Sequence, residues 1–174
     1  MPETVQQYIQ RIHSFVQGQD PLAILPQTPG RLHSLLGGLP DSQLRTRPAS
    51  GRWSPLEILV HMSDVEIVVG FRTRFILGAP DGSPVPAFDQ DSWQQVLRYN
   101  EREFAPTLDA FAAARDNNLR LYRSLTEDLW NKYGMHSERG KETVRTVVTM
   151  NAGHDLNHLR QVEAILGKNV AASA

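Results

Sequence analysis

In the stretch "NAGHDLNHLRQVEAIL", Asn151 to Leu166, His154 and His158 stand four residues apart. On a helix this spacing sets two imidazoles on one face, with Cβ atoms about 6 Å apart. It can bring two ring nitrogens to one ion, as in zinc sites of the H-x-x-x-H kind. Val147, Asn151, His154, His158, Gln161 and Ile165 follow one another by steps of four and three, the spacing of the stripe that a helix turns toward its neighbours. Two imidazoles and two amides therefore point at a core between Val147 and Ile165. A buried polar group without a partner costs roughly 1–3 kcal/mol. A metal answers both rings at once; ordinary hydrogen bonds within the core are the alternative.

A third ligand lies on an earlier seam, Ile58, His61, Val65, Val68 and Phe75, in which His61 is the polar member. His61 is about two turns from the start of its helix, and His158 slightly more than two from the end of its own. Antiparallel pairing brings the three imidazoles to one level, whereas parallel pairing leaves them roughly 10 Å apart at 1.5 Å rise per residue. The metal reading thus predicts antiparallel helices, and a lone buried histidine bonded to a carbonyl predicts no such match.

Other side chains are secondary candidates. Asn151 and Gln161 share the site's face and could orient ligands or substrate, or simply bond within the core. Asp64, one turn beyond His61, could brace an imidazole or be surface charge. Asp155 sits where H-E-x-x-H motifs carry a glutamate, but about 80° off the metal face; it reads as solvated charge or a partner to an imidazole rather than a general base. Arg72, Arg115 and Tyr122 interrupt apolar stripes and could meet an anionic substrate. His13, His33 and His136 lie off the seam and read as surface residues. No residue type at these positions identifies a general base.

The elements that position these residues are helical. Val5, Tyr8, Ile9, Ile12, Phe15 and Val16 keep helical spacing up to Gly18. Thr28-Pro29 reads as a cap and first turn, with Gly37-Gly38 as the stop. In "RWSPLEI", Ser54 caps, Pro55 fits the first position, Glu57 completes a capping box, and Trp53 with Ile58 makes a hydrophobic staple. That helix is predicted from Pro55 to Leu77, ending at Gly78. Residues 78–90 carry Pro80, Pro84 and Pro86, so they form a crossover or a lid. Helix resumes near Asp91, capped by Asp91 or Ser92, is kinked or restarted at Pro106, and runs to about Thr126. The last helix spans about Thr143 to Leu166, stopped by Gly167. No strand pair with a hairpin turn is visible. The expected fold is all-α, a four-helix bundle with an extra N-terminal helix (residues 1–20) in a single domain spanning 1–174.

Bulk composition narrows the functions. With 174 residues, 40% hydrophobic and 21% charged, the chain can bury a core and is not disordered. A net charge of -1 without Lys/Arg runs argues against nucleic acid as a partner. No apolar stretch approaches the ~20 residues that span a bilayer, and "MPETVQQYIQ" does not read as a secretory signal. Cysteine is absent, which removes disulfides and thiolate ligands, and the expectation is a cytoplasmic protein. Any metal is held by nitrogen and oxygen.

"RWSPLEILVHMSDVE", then "FDQDSW", then "GHDLNHLRQVEAIL" resemble the DinB-like superfamily, with its metal-dependent hydrolases and bacillithiol-transferase-like members. The resemblance runs from about Gly51 to Leu166 and implies a four-helix bundle whose second and third helices are joined by a long connection. It also implies His61, His154 and His158 as ligands to one divalent transition metal, zinc, nickel, iron or manganese. Three protein imidazoles leave coordination positions open, so the implied chemistry is activation of water or of a thiol. The implied partner is a small-molecule substrate, a low-molecular-weight thiol among them, with a homodimer as the assembly. A non-catalytic metal- or ligand-binding bundle, stress-associated in role, and purely structural histidines are the competing readings.

Overall fold

The computed structural model describes residues 3–167; the outer limits of the expected domain, 1 and 174, lie outside them. Helix α1 (Val5–Val16) opens on a capping box between Thr4 and Gln7. A short α2 (Pro21–Ile24) leads through a 3-10 turn into α3 (Thr28–Leu36), and α4 (Asp41–Arg45) follows. Thr28 is the first residue of α3 rather than its cap. Its hydroxyl instead donates to the Asp155 carboxylate at 2.7 Å.

Helix α5 (Pro55–Gly78) starts as its sequence requires: Ser54 Oγ accepts from the Glu57 amide at 3.2 Å, and Glu57 accepts from the Ser54 amide at 2.8 Å. After β1 (Ser83–Val85), helix α6 (Gln90–Val96) is capped by Asp89, not by Asp91 or Ser92, whose amides donate to it. Helix α7 (Phe104–Arg123) is a restart, with Pro106 in its first turn where no amide hydrogen is needed. Short α8 (Glu127–Asn131) precedes β2 (Tyr133–His136), β3 (Gly140–Thr143) and α9 (Val144–Ile165), which Thr143 caps.

The sheet corrects the strand-free expectation. β1 lies parallel to β2 with Val85 opposite His136, and β2 lies antiparallel to β3 with His136 opposite Gly140. Gly140, at φ 76, supplies the left-handed residue that turns this hairpin. The expected loop of residues 78–90 therefore carries a strand and is tied to the hairpin.

Helices α3, α5, α7 and α9 make the bundle, and cross-helix pairs give their directions. Glu66 meets Arg115, and farther along both helices Gly70 packs on Asn118, so α5 and α7 run parallel. The connection between them is accordingly a crossover. His61 meets His154 while Glu66 meets Asn151, so α5 and α9 run antiparallel. Helix α1 lies against α9 so closely that a Cβ on Gly153 would collide with the Ile12 carbonyl. The apolar core forms two clusters. One holds Val65, Val69, Ile76, Val147 and Ala152; the other holds Leu56, Ile58, Leu59, Leu159 and Val162. Between them, on α5 and α9, lies a polar layer.

Candidate metal centre

His61 enters this layer from α5, and His154 and His158 enter it from α9. The Nε2 atoms of His61 and His154 are 3.0 Å apart, as are those of His154 and His158. One ligand nitrogen from each ring lies within 4.8 Å of the others. Exposure is 1% for His61, 9% for His154 and 7% for His158, so water competes little for these nitrogens. Trp53, fixed just ahead of the α5 cap, packs on the His61 ring at 4.7 Å between centroids and stacks at 6.4 Å on His158.

Hydrogen bonding alone does not satisfy this cluster. An imidazole nitrogen offers either one N–H or one lone pair, yet His154 Nε2 faces two ring nitrogens at 3.0 Å. His158 has its tautomer set from outside: its Nδ1 lies 2.9 Å from Gln161 Oε1, an acceptor, so Nδ1 carries the proton and Nε2 keeps its lone pair. The Nδ1 atoms of His61 and His154 are buried without partners. Burial holds all three rings below the usual imidazole range, with the neighbouring His158 adding to the effect on His61 and His154; His158 itself falls to about 4 despite its bond to Gln161. They are neutral at neutral pH, the form in which imidazole binds a cation. Three converging lone pairs with unmet bonding capacity fit a divalent transition ion. On a tetrahedral zinc with bonds of about 2.0–2.1 Å, ligand nitrogens would lie roughly 3.3 Å apart.

The other sequence candidates separate. Gln161 touches a ring, as above. Asn151 does not; its Nδ2 donates to Glu66 Oε2 at 2.9 Å. Asp64 accepts from the Tyr99 hydroxyl at 2.6 Å, and His61 Nδ1, unpartnered, is not braced by it. Asp155 is 1% exposed, which excludes solvated charge; it pairs with Arg115 at 2.6 Å. Burial raises the Asp155 carboxyl against the pull of Arg115.

Arg115, itself 1% exposed, also contacts Glu66 at 2.7 Å and donates to the Leu25 carbonyl at 2.8 Å. It is an internal clamp. Tyr122 is likewise buried, with burial pushing its hydroxyl up, and neither residue lines the cavities beside the histidines. His33 is exposed and His13 half-buried, but His136 is only 3% exposed, which corrects its reading as a surface residue. Glu66, at 0% exposure, is the main polar residue the sequence reading missed. Its signal was a carboxylate inside the apolar run "VEIVVGF".

Two cavities reach the cluster. One of ≈ 720 Å³ includes His61, His154, Arg72 and His136; another of ≈ 580 Å³ includes His154, His158, Trp53 and Gln161. Both fall within the roughly 300–1,000 Å³ of small-molecule sites. A third, of ≈ 770 Å³, lies between α1, α2 and α9 and touches none of the three histidines. Among the described residues, no helix is long and apolar enough to cross a membrane.

Comparison with known proteins agrees with this architecture. The model of the DinB superfamily matches residues 24–162. A protein of Geobacillus kaustophilus is 23% identical over 148 residues, covering 84% of this chain and 83% of its own length. One of Geobacillus thermodenitrificans is 24% identical over 106 residues, covering 61% and 59%. Both carry the name "Putative metal-dependent hydrolase". Among solved structures, YfiT from Bacillus subtilis superimposes with a TM-score of 0.77 at 16% identity, over 95% of this chain and 91% of that one. It is described as "a probable metal-dependent hydrolase with an unusual four-helix bundle topology". At that identity the likeness shows the fold.

Proposed function

The chain belongs to the DinB superfamily, and from that premise we propose that it is a metal-dependent hydrolase of small molecules. Its one divalent transition ion would be held by His61, His154 and His158. The observation that carries the proposal is the meeting of three neutral, buried imidazole nitrogens at a point reached by two cavities. The names of both Geobacillus relatives support the metal and the hydrolytic reaction.

The chain's own residues have definite tasks in this reading. Gln161 holds the His158 proton on Nδ1, leaving Nε2 free to coordinate. Trp53 walls the cluster and fixes the His61 and His158 planes. The two apolar clusters above and below the polar layer keep bulk water from the rings. Bound by these three imidazoles, such an ion would supply the Lewis acidity that lowers the pKa of water or ionises a thiol. We take water as the nucleophile, because the relatives are named hydrolases. A low-molecular-weight thiol in the same place is the alternative that the test must separate.

The test is turnover of ester and amide panels, with and without added thiols, on native, chelated and metal-restored protein, beside circular dichroism. The expected result is folded but inactive chelated protein that regains thiol-independent activity with metal. Activity that survives chelation would overturn the proposal, and activity that requires a thiol would move it to thiol transfer. The homodimer is a separate proposal. Ile67 and Phe71, 60% and 57% exposed one turn apart on α5, support it, and sedimentation velocity tests it.

A further inference from the structure

Arg72 lies about three turns beyond His61 on α5, roughly 16 Å along the axis at 1.5 Å per residue. Both side chains line the ≈ 720 Å³ cavity, as do Val65, Val69 and Val147. Arg72 is 6% exposed. Its Nη2 donates to the Pro86 carbonyl at 2.7 Å, and its Nε is buried with no partner. Burial lowers the guanidinium to about 10, so it stays charged at neutral pH. The other charges of this cavity are accounted for. Arg139 holds Glu142 at 2.6 Å, Glu3 is held by Arg11 at 2.8 Å, Asp89 accepts the amides of Asp91 and Ser92 at the start of α6, and Glu138 is exposed. Among the described residues lining the cavity, Arg72 is the cation without a carboxylate partner.

His136, on β2, supplies a second donor. Its Nδ1 accepts from the backbone amides of Glu138 and Arg139 at 3.2 and 3.4 Å. A nitrogen that accepts carries no hydrogen, so the proton of the neutral ring sits on Nε2. That Nε2 is buried and unpartnered, in a residue that lines the same cavity. Burial, with Arg139 nearby, holds the ring below its usual range and keeps it neutral. An orphaned buried N–H of this kind is destabilising, a cost that a ligand oxygen removes.

We propose that Arg72 and His136 form a carboxylate subsite, so that the substrate carries a carboxylate at one end, an apolar spacer, and its hydrolysable group at the histidine end. The assignment of the reacting end rests on the metal-centre reading given above. One guanidinium charge and two fixed N–H donors match a monoanion with two acceptor oxygens. A phosphate dianion would leave a charge unanswered beside Glu142 and Glu138.

The experiment follows the Arg72 Nε–H and His136 Nε2–H resonances of the full chain by ¹⁵N NMR, metal-free, during titration with hexanoate, hexan-1-ol or inorganic phosphate. Hexanoate is expected to shift both signals saturably, and hexan-1-ol to leave them in place. Arg72→Gln should weaken hexanoate at least about tenfold, the loss of one charge-assisted pair. Arg72→Lys, which keeps the charge and loses the Nε–H, should weaken it less and serves as the second variant should the first lose helix. Equal shifts with hexanoate and hexan-1-ol, unaltered hexanoate binding in Arg72→Gln, or tighter binding of phosphate would each overturn the assignment. Cobalt(II) uptake, followed separately by visible absorption, should be the same in wild type and Arg72→Gln. Hexanoate binding without any cobalt uptake would overturn the metal centre and leave the subsite standing.

Discussion

His154 and Asp155 are adjacent on α9 and both buried, at 9% and 1% exposure, yet they belong to two polar clusters built on different principles. Asp155 joins Arg115 and Glu66 in a network of opposite charges that compensate one another, although Arg115 Nε is buried without a partner. Glu66 uses both carboxylate oxygens, one toward Asn118 at 2.8 Å and the other toward Asn151 at 2.9 Å and Arg115 at 2.7 Å. Asp155 receives Thr28 at 2.7 Å and Arg115 at 2.6 Å. Those residues come from α3, α5, α7 and α9, so the network fastens all four bundle helices. Its charged members line neither cavity beside the histidines. The histidine cluster draws on α5 and α9 alone. It leaves two Nδ1 atoms without partners, sets two nitrogens against a single one, and opens toward both cavities. Burial does not tell the two apart, and orphaned nitrogens occur in both. In one the guanidinium and carboxylates compensate one another's charge, whereas in the other three neutral rings turn their nitrogens on one point. A charge-compensated network away from the cavities fixes architecture, and an open cluster of converging neutral nitrogens beside them has bonding capacity left for a ligand.

The comparison breaks most visibly at Arg115. Arg115→Met leaves Glu66 and Asp155 as uncompensated buried carboxylates and should cost about 3–5 kcal/mol in denaturant unfolding. Metal uptake by the protein that remains folded should be unchanged. The histidine cluster should instead answer to pH. Its three rings are held below the ordinary 6.5 by burial, His158 to about 4. Below pH 6.5 the unfolded chain therefore binds protons that the folded chain does not. Metal-free protein should lose stability as pH falls from 6.5 toward 4, by up to about 1.4 kcal/mol per pH unit for each ring. His158→Gln should lose one ring's share of that slope; an identical pH profile for the variant contradicts the assignment.

Smaller effects sharpen the contrast. Gly153→Ala drives a methyl into the Ile12 carbonyl, and overpacking of this kind costs about 1–3 kcal/mol. Loss of α1 protection in hydrogen exchange, with α5 and α7 unaffected, is the expected pattern. Gln161→Leu should barely alter the melting temperature of metal-free protein. Isothermal titration should find its metal affinity lower by roughly tenfold to a hundredfold, the usual effect of removing a group that orients a ligand.

The clustering of the three histidines was legible because these polar residues share stripes with apolar ones. Once α5 and α9 were placed antiparallel, the levels of His61, His154 and His158 agreed. The cap of α5 was legible because Ser54, Pro55 and Glu57 form a local signal. The charge network was not: Asp155 reads as solvated charge, Arg115 reads as a contact for an anionic substrate, and Glu66 goes unremarked until three distant helices meet. The sheet was hidden for a related reason. "YGMH" and "GKET" are short and almost free of β-branched residues, so their pairing depends on tertiary contact more than on propensity. His136 went unnoticed with them, because it lies on the buried face of β2, opposite the exposed Met135, a placement that exists only once the sheet forms.

The central claim is that the open cluster holds one metal ion and is not needed for the fold. Its most direct test is the metal content of protein purified without a polyhistidine tag or added metal, measured beside His158→Ala, with circular dichroism of both. The account predicts a transition ion near one equivalent in the wild type, none in the variant, and the same helix content in each. A His158→Ala variant that retains its full equivalent of metal would contradict it.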